Sequence, residues 1–342
     1  MLSDSIQHQP IACDIVERAL DGHRVPHAYV FHGPNGVGKE RFARVLASRL
    51  LEHDSWESVE THPDFHLIYR QLNRKHPEPE VRRRKATTLG IDVVREFLIA
   101  RVALKSMGGV GKVFVIREGE KLQPQAQQAL LKTLEEPPPL TFLILLTTSL
   151  NALLTTIMSR CQVVPFGPVP DSFVEQKLAE VHPTLGSDET TFYTKLAEGS
   201  PGRALEMVEQ DLFTLGATIL KDLAALDPGR TDVMRKTMAD TAEALSETYR
   251  KADPDISSTE ATRRGLTTVF QIISRWYADL LRVEVGASTT RMLGDQTPPA
   301  RVGQRSLIKA IQRVSQAGYE IGRNVNATLC VETLATDLGR LR

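Results

Sequence analysis

The chain has 342 residues, of which 41% are hydrophobic and 25% are charged, so it can bury a sizeable core. This length exceeds one compact domain in most architectures, and two or three domains are expected. Lysine and arginine together number 42, as do aspartate and glutamate, which excludes a global electric field that would concentrate the chain on DNA or on an anionic membrane.

The first predicted elements are a strand, a glycine-rich loop and a helix. The strand is the apolar run 28–31, and apolar residues recur at helical spacing over residues 40–51. Between them stands GPNGVGKE, whose glycines and lysine match the phosphate-binding loop GxxxxGK[S/T] at Gly33, Gly36, Gly38 and Lys39. Backbone N–H groups of such a loop bind phosphate. The alternative is a turn that only docks a helix on a sheet.

Four more apolar runs predict the remaining strands of the first half. Each run is continuous rather than alternating, as is typical of strands buried on both faces of a parallel sheet. The runs are residues 65–69, 113–116, 142–146 and 162–164, with helical patterns at 91–104 and 124–134. The first half is therefore predicted to be a doubly wound α/β domain.

The second half is predicted to be helical. The breaker-rich stretch FGPVPD, residues 166–171, indicates a boundary, and helices are expected on both sides of EGSPGRAL, residues 198–205. A polar passage at 227–262 is expected to be mobile. An apolar stripe at Ile272, Trp276 and Leu280 must be buried, either in the chain's own core or against other subunits.

Two positions depart from the chemistry of an ATP-hydrolysing loop. The last loop position normally carries a hydroxyl that ligates Mg²⁺, and here it is Glu40. The acid that normally follows the strand at 113–116 is replaced by Arg117, which cannot ligate a cation, so Glu118 alone would have to do so. We expect no significant hydrolysis by the isolated chain, whereas nucleotide binding through Lys39 stays open.

Seven motifs spread over nearly the whole chain share a further likeness: GHRVPHAYVFHGPNGVGKE (22–40), HPDFHLI (62–68), EKLQPQAQQALLKTLEEPP (120–138), SRCQ (159–162), EGSPGRAL (198–205), RWYADLL (275–281) and NVNATLCVETL (324–334). Together they resemble the delta-prime subunits of the bacterial DNA polymerase III clamp loader, which are AAA+ proteins. The resemblance implies an α/β P-loop (AAA+) domain with a parallel sheet, a small helical lid domain and an all-α C-terminal collar domain. We place these domains at residues 1–168, 169–209 and 210–342.

The resemblance also implies roles for single residues. It makes Arg160, in SRCQ, an arginine supplied in trans to a neighbouring subunit's ATP, where a guanidinium stabilises transition-state charge. The alternative is an ion pair with an acid on the domain surface. Arg203 matches the nucleotide-sensing arginine of the lid, although we favour an interdomain ion pair for it. Thr148, within residues 147–149, occupies a polar sensor position or caps the strand end.

The implied function is that of a non-catalytic subunit that helps to load the sliding clamp on primed DNA during DNA replication. The implied partners are the gamma/tau ATPase subunits and the delta subunit, with the clamp and DNA reached through the complex. No cofactor is required, and weak binding of ATP or ADP without hydrolysis stays open. The alternatives are an active gamma/tau-like ATPase subunit and a pure scaffold.

The chain departs from the family at a four-cysteine zinc module that many relatives carry. No cysteine lies between residues 51 and 84, and the four histidines of that stretch match no tetrahedral spacing. We therefore expect no metal. The cysteines, at 13, 161 and 330, suit a reducing cytoplasm, and no apolar run is long enough to span a membrane.

The most basic stretch is VRRRK, residues 81–85. It either contacts duplex phosphates or forms a solvated loop, and the sequence favours the loop.

Overall fold

A computed structural model describes residues 6–22, 24–287, 302–323 and 325–341; the first residue of the motif at 324–334 therefore lies outside the described residues. The chain forms two compact units, Met1–Pro170 and Asp171–Arg342. The units divide inside the breaker-rich stretch at 166–171. A further division of the second unit after residue 209 stays a prediction.

The first unit contains a five-stranded parallel sheet. Its strands are β1 (Ala28–His32), β2 (Phe65–Ile68), β3 (Lys112–Ile116), β4 (Thr141–Thr147) and β5 (Gln162–Pro165), in the order β2-β3-β4-β1-β5. All neighbouring strands pair in parallel. The predicted α/β P-loop fold class is confirmed, and each predicted strand agrees with the structure to within one residue at either end.

Helices cover both faces of this sheet. Ile91–Val94, Arg95–Ile99 and Ala100–Val102 run on as one helix, α4, with π-type hydrogen bonding in the middle stretch. The others are α1 (Pro10–Asp21), α2 (Lys39–Leu50), α3 (Pro79–Arg83), α5 (Pro124–Glu135) and α6 (Thr155–Met158). Short 3-10 helices lie at Val59–Thr61, Arg70–Lys75, Gly119–Lys121 and Leu150–Ala152.

Three aromatic rings fix α2 to the sheet. Phe31 of β1, Phe42 of α2 and Phe166 after β5 lie 5.1 to 5.4 Å apart between ring centroids, and all three are buried. Contacts of this kind contribute beyond the apolar area they bury. The cluster sets the angle at which the loop between β1 and α2 leaves the sheet.

The second unit is built from helices within its described residues. They are α7 (Asp171–Val181), α8 (Ser187–Ala197), α9 (Pro201–Glu209), α10 (Leu212–Ala224), α11 (Thr231–Ala252), α12 (Ser258–Glu284), α13 (Gln304–Gly322) and α14 (Ala327–Arg340). The helix break predicted in EGSPGRAL is confirmed: Glu198 and Gly199 adopt positive φ, and the Ser200 side chain caps α9.

For two segments of this unit, the structure differs from what the sequence left open or predicted. The polar passage at 227–262, expected to be mobile, is mostly the 22-residue helix α11 and the start of α12. Of the apolar stripe, Ile272 and Trp276 are buried within the unit itself, and Leu280 is half-buried. The stripe is therefore internal core and gives no support to a contact with other subunits.

Within the described residues, no helix combines the length and the apolar character needed to cross a bilayer.

Candidate functional site

The glycine-rich loop joins β1 to α2 at the carboxyl edge of the sheet, where ligands of open α/β sheets bind. A side chain at Gly33 would overlap the carbonyl oxygen of Phe166 and lie 3.0 Å from its carbonyl carbon. Gly38, at φ 101°, stands immediately before α2, whose first N–H groups receive no side-chain cap. The loop thus has the geometry that leaves backbone N–H donors available to an anion.

The loop borders a cavity of about 350 Å³. Six of the predicted site residues line it: Gly36, Gly38, Lys39, Glu40, Arg117 and Thr148. Arg160, which belongs to the same unit, is not among the lining residues. The structure therefore brings the degenerate P-loop positions together and places Arg160 elsewhere on the first unit.

Glu40 and Arg117, the two departures from P-loop chemistry, bind each other. Arg117 Nε donates to Glu40 Oε2 at 2.6 Å, and Arg117 Nη2 donates to Glu40 Oε1. Burial alone would raise the pKa of Glu40, but the hydrogen bonds and charges of Arg117 and Arg44 outweigh it and hold that pKa below its ordinary value. The carboxylate is therefore ionised and occupied on both oxygens.

A second arginine extends this ion pair to the neighbouring segment. Arg44 Nη2 lies 2.7 Å from Glu40 Oε1 and 2.5 Å from Glu60 Oε1. The guanidinium of Arg117 also lies over the Tyr69 ring, 5.8 Å from its centroid. The network ties α2 to the end of β3 and to the turn at residues 59–61.

Glu118, the last candidate for a cation ligand, is paired as well. Arg70 Nε donates to Glu118 Oε2 at 3.0 Å, and Arg70 Nη1 donates to Ala86 O at 2.6 Å. In the described residues, no group of three or more His, Cys, Asp or Glu side chains is arranged to hold a metal ion.

Lys39 points back at its own loop. Its Nζ donates to the carbonyl oxygens of Gly33 and Pro34, both at 2.6 Å, and the residue is 8% exposed. Burial lowers the pKa of Lys39 to about 8, a shift that the charge of Glu120 partly opposes. The ammonium group is thus committed to the loop backbone.

Of the predicted polar sensor stretch at residues 147–149, Thr147 rather than Thr148 has the buried hydroxyl. Thr147 Oγ1 lies 3.1 Å from Glu120 Oε2 and is buried, whereas Thr148 reaches the same carboxylate only through its backbone N–H, also at 3.1 Å. Thr147 is the last residue of β4, a strand that is buried along nearly its whole length. Glu120 is the first residue of one of the sequence motifs, but no role was predicted for it.

Arg160 lies on the surface of the first unit, just after α6. Its Nη2 is 2.8 Å from Glu135 Oε1, and its Nη1 donates to Thr156 O at 3.0 Å. About a third of the side chain, 34%, remains exposed. The guanidinium has the acidic surface partner that was considered as the alternative, and its role in trans stays a prediction.

Arg203 lies in the first turn of α9 and donates from Nη2 to Gln271 Oε1 of α12. The prediction that Arg203 forms an interdomain ion pair was wrong. Within the described residues, its side chain contacts a neutral amide and no carboxylate. Glu206, on the same helix, pairs instead with Arg264. Burial lowers the pKa of Arg203.

Ordinary packing holds the cysteine-free stretch between residues 51 and 84. Leu72, Asn73 and Val81 are buried, and Asn73 Nδ2 donates to Arg84 O at 2.6 Å. His76 is buried as well, and its Nδ1 accepts from the backbone N–H of Glu78 at 3.1 Å. These contacts order the chain between β2 and α4.

Comparisons with known proteins find matches to subunits of DNA polymerase III. The family model described as "DNA polymerase III, delta subunit" matches residues 8–170. DNA polymerase III subunit delta' of Escherichia coli is 33% identical over 164 residues, which are 48% of this chain and 45% of that protein. The delta' subunit of Bacillus subtilis is 28% identical over 185 residues, or 50% of this chain and 51% of that protein.

Subunit gamma/tau of Mycoplasma pneumoniae is 30% identical over 200 residues, or 57% of this chain and 29% of that protein. The chain thus spans between about a third and a half of the length of these curated relatives. The matches confirm the resemblance to delta'-type clamp-loader proteins. Because delta' and gamma/tau subunits both match, the choice between them rests on the chemistry of the site.

Proposed function

We propose that this chain is a delta'-type subunit of the DNA polymerase III clamp loader, does not hydrolyse ATP itself, and supplies Arg160 to ATP bound by a neighbouring subunit. The observation that carries the proposal is the ion pair between Glu40 and Arg117. In a hydrolysing P-loop, a hydroxyl and an acid stand at these positions and hold Mg²⁺. Here one group is cationic, and the other is neutralised by it.

The residues at the loop suit a phosphate group better than a metal ion. The backbone donors around Gly36 and Gly38 and the uncapped start of α2 favour an anion. Glu40 and Glu118, which could ligate a cation, are both paired with arginines. A nucleotide bound here would lack the metal that neutralises charge during phosphoryl transfer.

The surroundings of Arg160 suit transfer to a partner's phosphate. Its pair with Glu135 is half-exposed, and such surface pairs are worth about 0–1 kcal/mol. A planar guanidinium binds phosphate oxygens through two parallel hydrogen bonds. The ion pair with Glu135 holds the Arg160 guanidinium at the surface. The phosphate of a neighbouring subunit's ATP then takes the place of the Glu135 carboxylate.

In this role the chain works with gamma/tau ATPase subunits and a delta subunit in the cytoplasm. The sliding clamp and primed DNA are handled by the assembled complex. Any ATP or ADP at its own loop is bound weakly and not hydrolysed.

Reconstitution tests the role of Arg160. The chain is mixed with its ATPase subunits, delta, the clamp and primed DNA, and ATP hydrolysis is compared for the parent, Arg160→Ala and Arg160→Lys. Both variants should slow hydrolysis at the site that Arg160 serves, by about 10³-fold or more, while the complex elutes unchanged on gel filtration.

Arg49→Ala is the matched control, because Arg49 is an arginine of the same unit whose side chain reaches solvent. This variant should hydrolyse ATP at the parental rate. If the complex with Arg160→Ala hydrolyses ATP at the parental rate, Arg160 does not act in trans, and the chain is a scaffold.

The second candidate is an active ATPase subunit, favoured by the retained Lys39 and by the gamma/tau relatives. Steady-state ATP turnover by the isolated chain separates the two functions. A rate of about 1 per second, near that of slow enzymes, would establish the ATPase. We expect no turnover above background.

A further inference from the structure

The basic segment, defined as RKHPEPEVRRRK at residues 74–85, concentrates positive charge in an electrically neutral chain. It carries four arginines and two lysines against two glutamates, a net charge of +4, while the whole chain has a net charge of +0. The remainder of the chain is therefore net negative. A local field of this kind attracts a polyanion where the molecule as a whole does not.

The backbone of the basic segment is fixed by contacts within the first unit. Val81 of α3 is 3% exposed, and Asn73 holds the carbonyl of Arg84 from the preceding turn. Arg82 Nη1 donates to His76 O at 2.8 Å and to Pro77 O at 2.7 Å. The segment is a folded platform rather than the solvated loop that the sequence favoured.

The remaining cations face solvent. Lys75, Arg83 and Lys85 are exposed and form no ion pair with any other residue that the structure describes. Arg84 pairs with Asp92 at 2.9 Å, but 62% of its side chain stays exposed. Lys75, Arg83 and Lys85 thus present positive charge to solvent from one short segment, without acidic partners among the described residues.

We propose that the basic segment binds the phosphate backbone of duplex DNA. The choice of DNA as the polyanion rests on the proposed function. The prediction that a polyanion binds here rests on the charge and the exposure of the segment. Duplex DNA presents one negative charge per about 1.7 Å of its axis, a density that suits clustered cations. The segment has no Phe, Tyr or Trp on which a single-stranded base could stack, which favours the duplex.

Contacts to phosphates carry no base information, so the binding is independent of DNA sequence. It orients the first unit on the duplex.

Fluorescence anisotropy with a labelled 30-base-pair duplex tests the proposal on the full-length chain. The variant K75A/R83A/K85A removes three exposed cations that lack ion-pair partners and keeps Arg82, which holds the backbone of the segment, so its fold should be intact. We expect binding about tenfold weaker or more at 50 mM salt, and a plot of log K against log salt flatter by about 2 to 3.

The matched control is K236A/K251A/R305A, which removes the same charge from exposed positions of the second unit. It should bind like the parent. Thermal unfolding followed by circular dichroism establishes that both variants are folded.

Three results would overturn the proposal: no duplex binding by the parent at 50 mM salt, unchanged binding by K75A/R83A/K85A, or an equal loss in the control. If K75A/R83A/K85A keeps its DNA affinity but assembles poorly with the other subunits, the basic segment docks an acidic protein instead. The assay uses the isolated chain without ATP, so failure here is distinguishable from failure of the Arg160 role.

Discussion

Glu40 and Arg117 lie 77 residues apart in sequence and meet in a two-point ion pair at the end of β3. Each side chain keeps about a third of its surface exposed, so water screens the pair only in part. Removing one partner leaves the other desolvated and uncompensated, which is more costly than removing both. The stability of the loop region therefore depends on the two residues jointly.

A double-mutant cycle measures this dependence. Glu40→Gln and Arg117→Met should each lower the free energy of unfolding by about 1–3 kcal/mol, and the double variant should lose less than the sum of the two, with a coupling of about 1–2 kcal/mol. Urea unfolding of the four proteins supplies the numbers. Additive losses would show that the pair contributes no mutual stabilisation.

The buried ammonium of Lys39 predicts a pH dependence. Below pH 8 the folded and unfolded states both carry its proton; between about 8 and 10.5 the folded state releases the proton, while the unfolded state keeps it. Unfolding then takes up a proton, so the free energy of unfolding rises with pH. Relative to Lys39→Met, the parent should gain on the order of 3 kcal/mol across this range.

Urea unfolding of both proteins at pH 7, 8, 9 and 10 gives that difference directly. A difference that stays constant over these pH values would mean that Lys39 titrates normally in the folded state.

At the scale of elements, α12 approaches α11 through a glycine. A methyl group at Gly265 would overlap the carbonyl oxygen of Ala242 and lie 3.1 Å from its carbonyl carbon. The small residues let two long helices pack at close range, and backbone atoms cannot yield as a side chain does. The core of the second unit depends on this contact.

Gly265→Ala should therefore destabilise the protein by about 1–3 kcal/mol, although alanine is the better helix former. Gly318→Ala, in α13, is the matched control, because its methyl group would meet nothing within 4 Å. That change should stabilise the protein by about 0.5–1 kcal/mol. The midpoint temperatures of thermal unfolding of the parent and both variants test this prediction. If Gly265→Ala is more stable than the parent, the two helices can move apart freely.

The helices also show why part of this unit could not be predicted. In α11 the buried positions include Met234, Met238, Ala242 and Leu245, spaced three or four residues apart. Methionine and alanine give a weak apolar signal beside the many charged residues of this stretch, so the pattern reads as polar. The buried positions have helical spacing, but the low average hydropathy of the segment masks them, and packing of this face against its neighbours stabilises the helix.

The first unit was far more predictable. Its strands are continuous apolar runs ended by turn residues, and the glycine spacing of the loop follows from local backbone geometry. Glu40 and Arg117 were each identified as departures, yet their pairing requires two distant segments to meet. The amide partner of Arg203 likewise lies 68 residues away, and no local pattern distinguishes it from an acid.

At the scale of the whole molecule, the first unit has its own core on each face of the sheet. The residues of both apolar clusters lie between Ile6 and Phe166. A segment that buries its own apolar surface folds as an independent domain.

Residues 1–170 expressed alone should consequently unfold in one cooperative transition, with a circular dichroism spectrum of a mixed α/β protein. A fragment that stays aggregated or melts without a transition would show that its stability comes from the second unit.

The ion pair at the loop also bears on how such a chain changes over generations. An Asp at position 117 would take the two-point cationic partner away from the Glu40 carboxylate, whereas a Thr at position 40 would leave the Arg117 guanidinium without a carboxylate. Replacing the pair by a hydroxyl and an acid thus passes through a less stable single variant, whichever residue changes first. Under the function proposed above, the ion pair itself therefore opposes a change toward ATP hydrolysis.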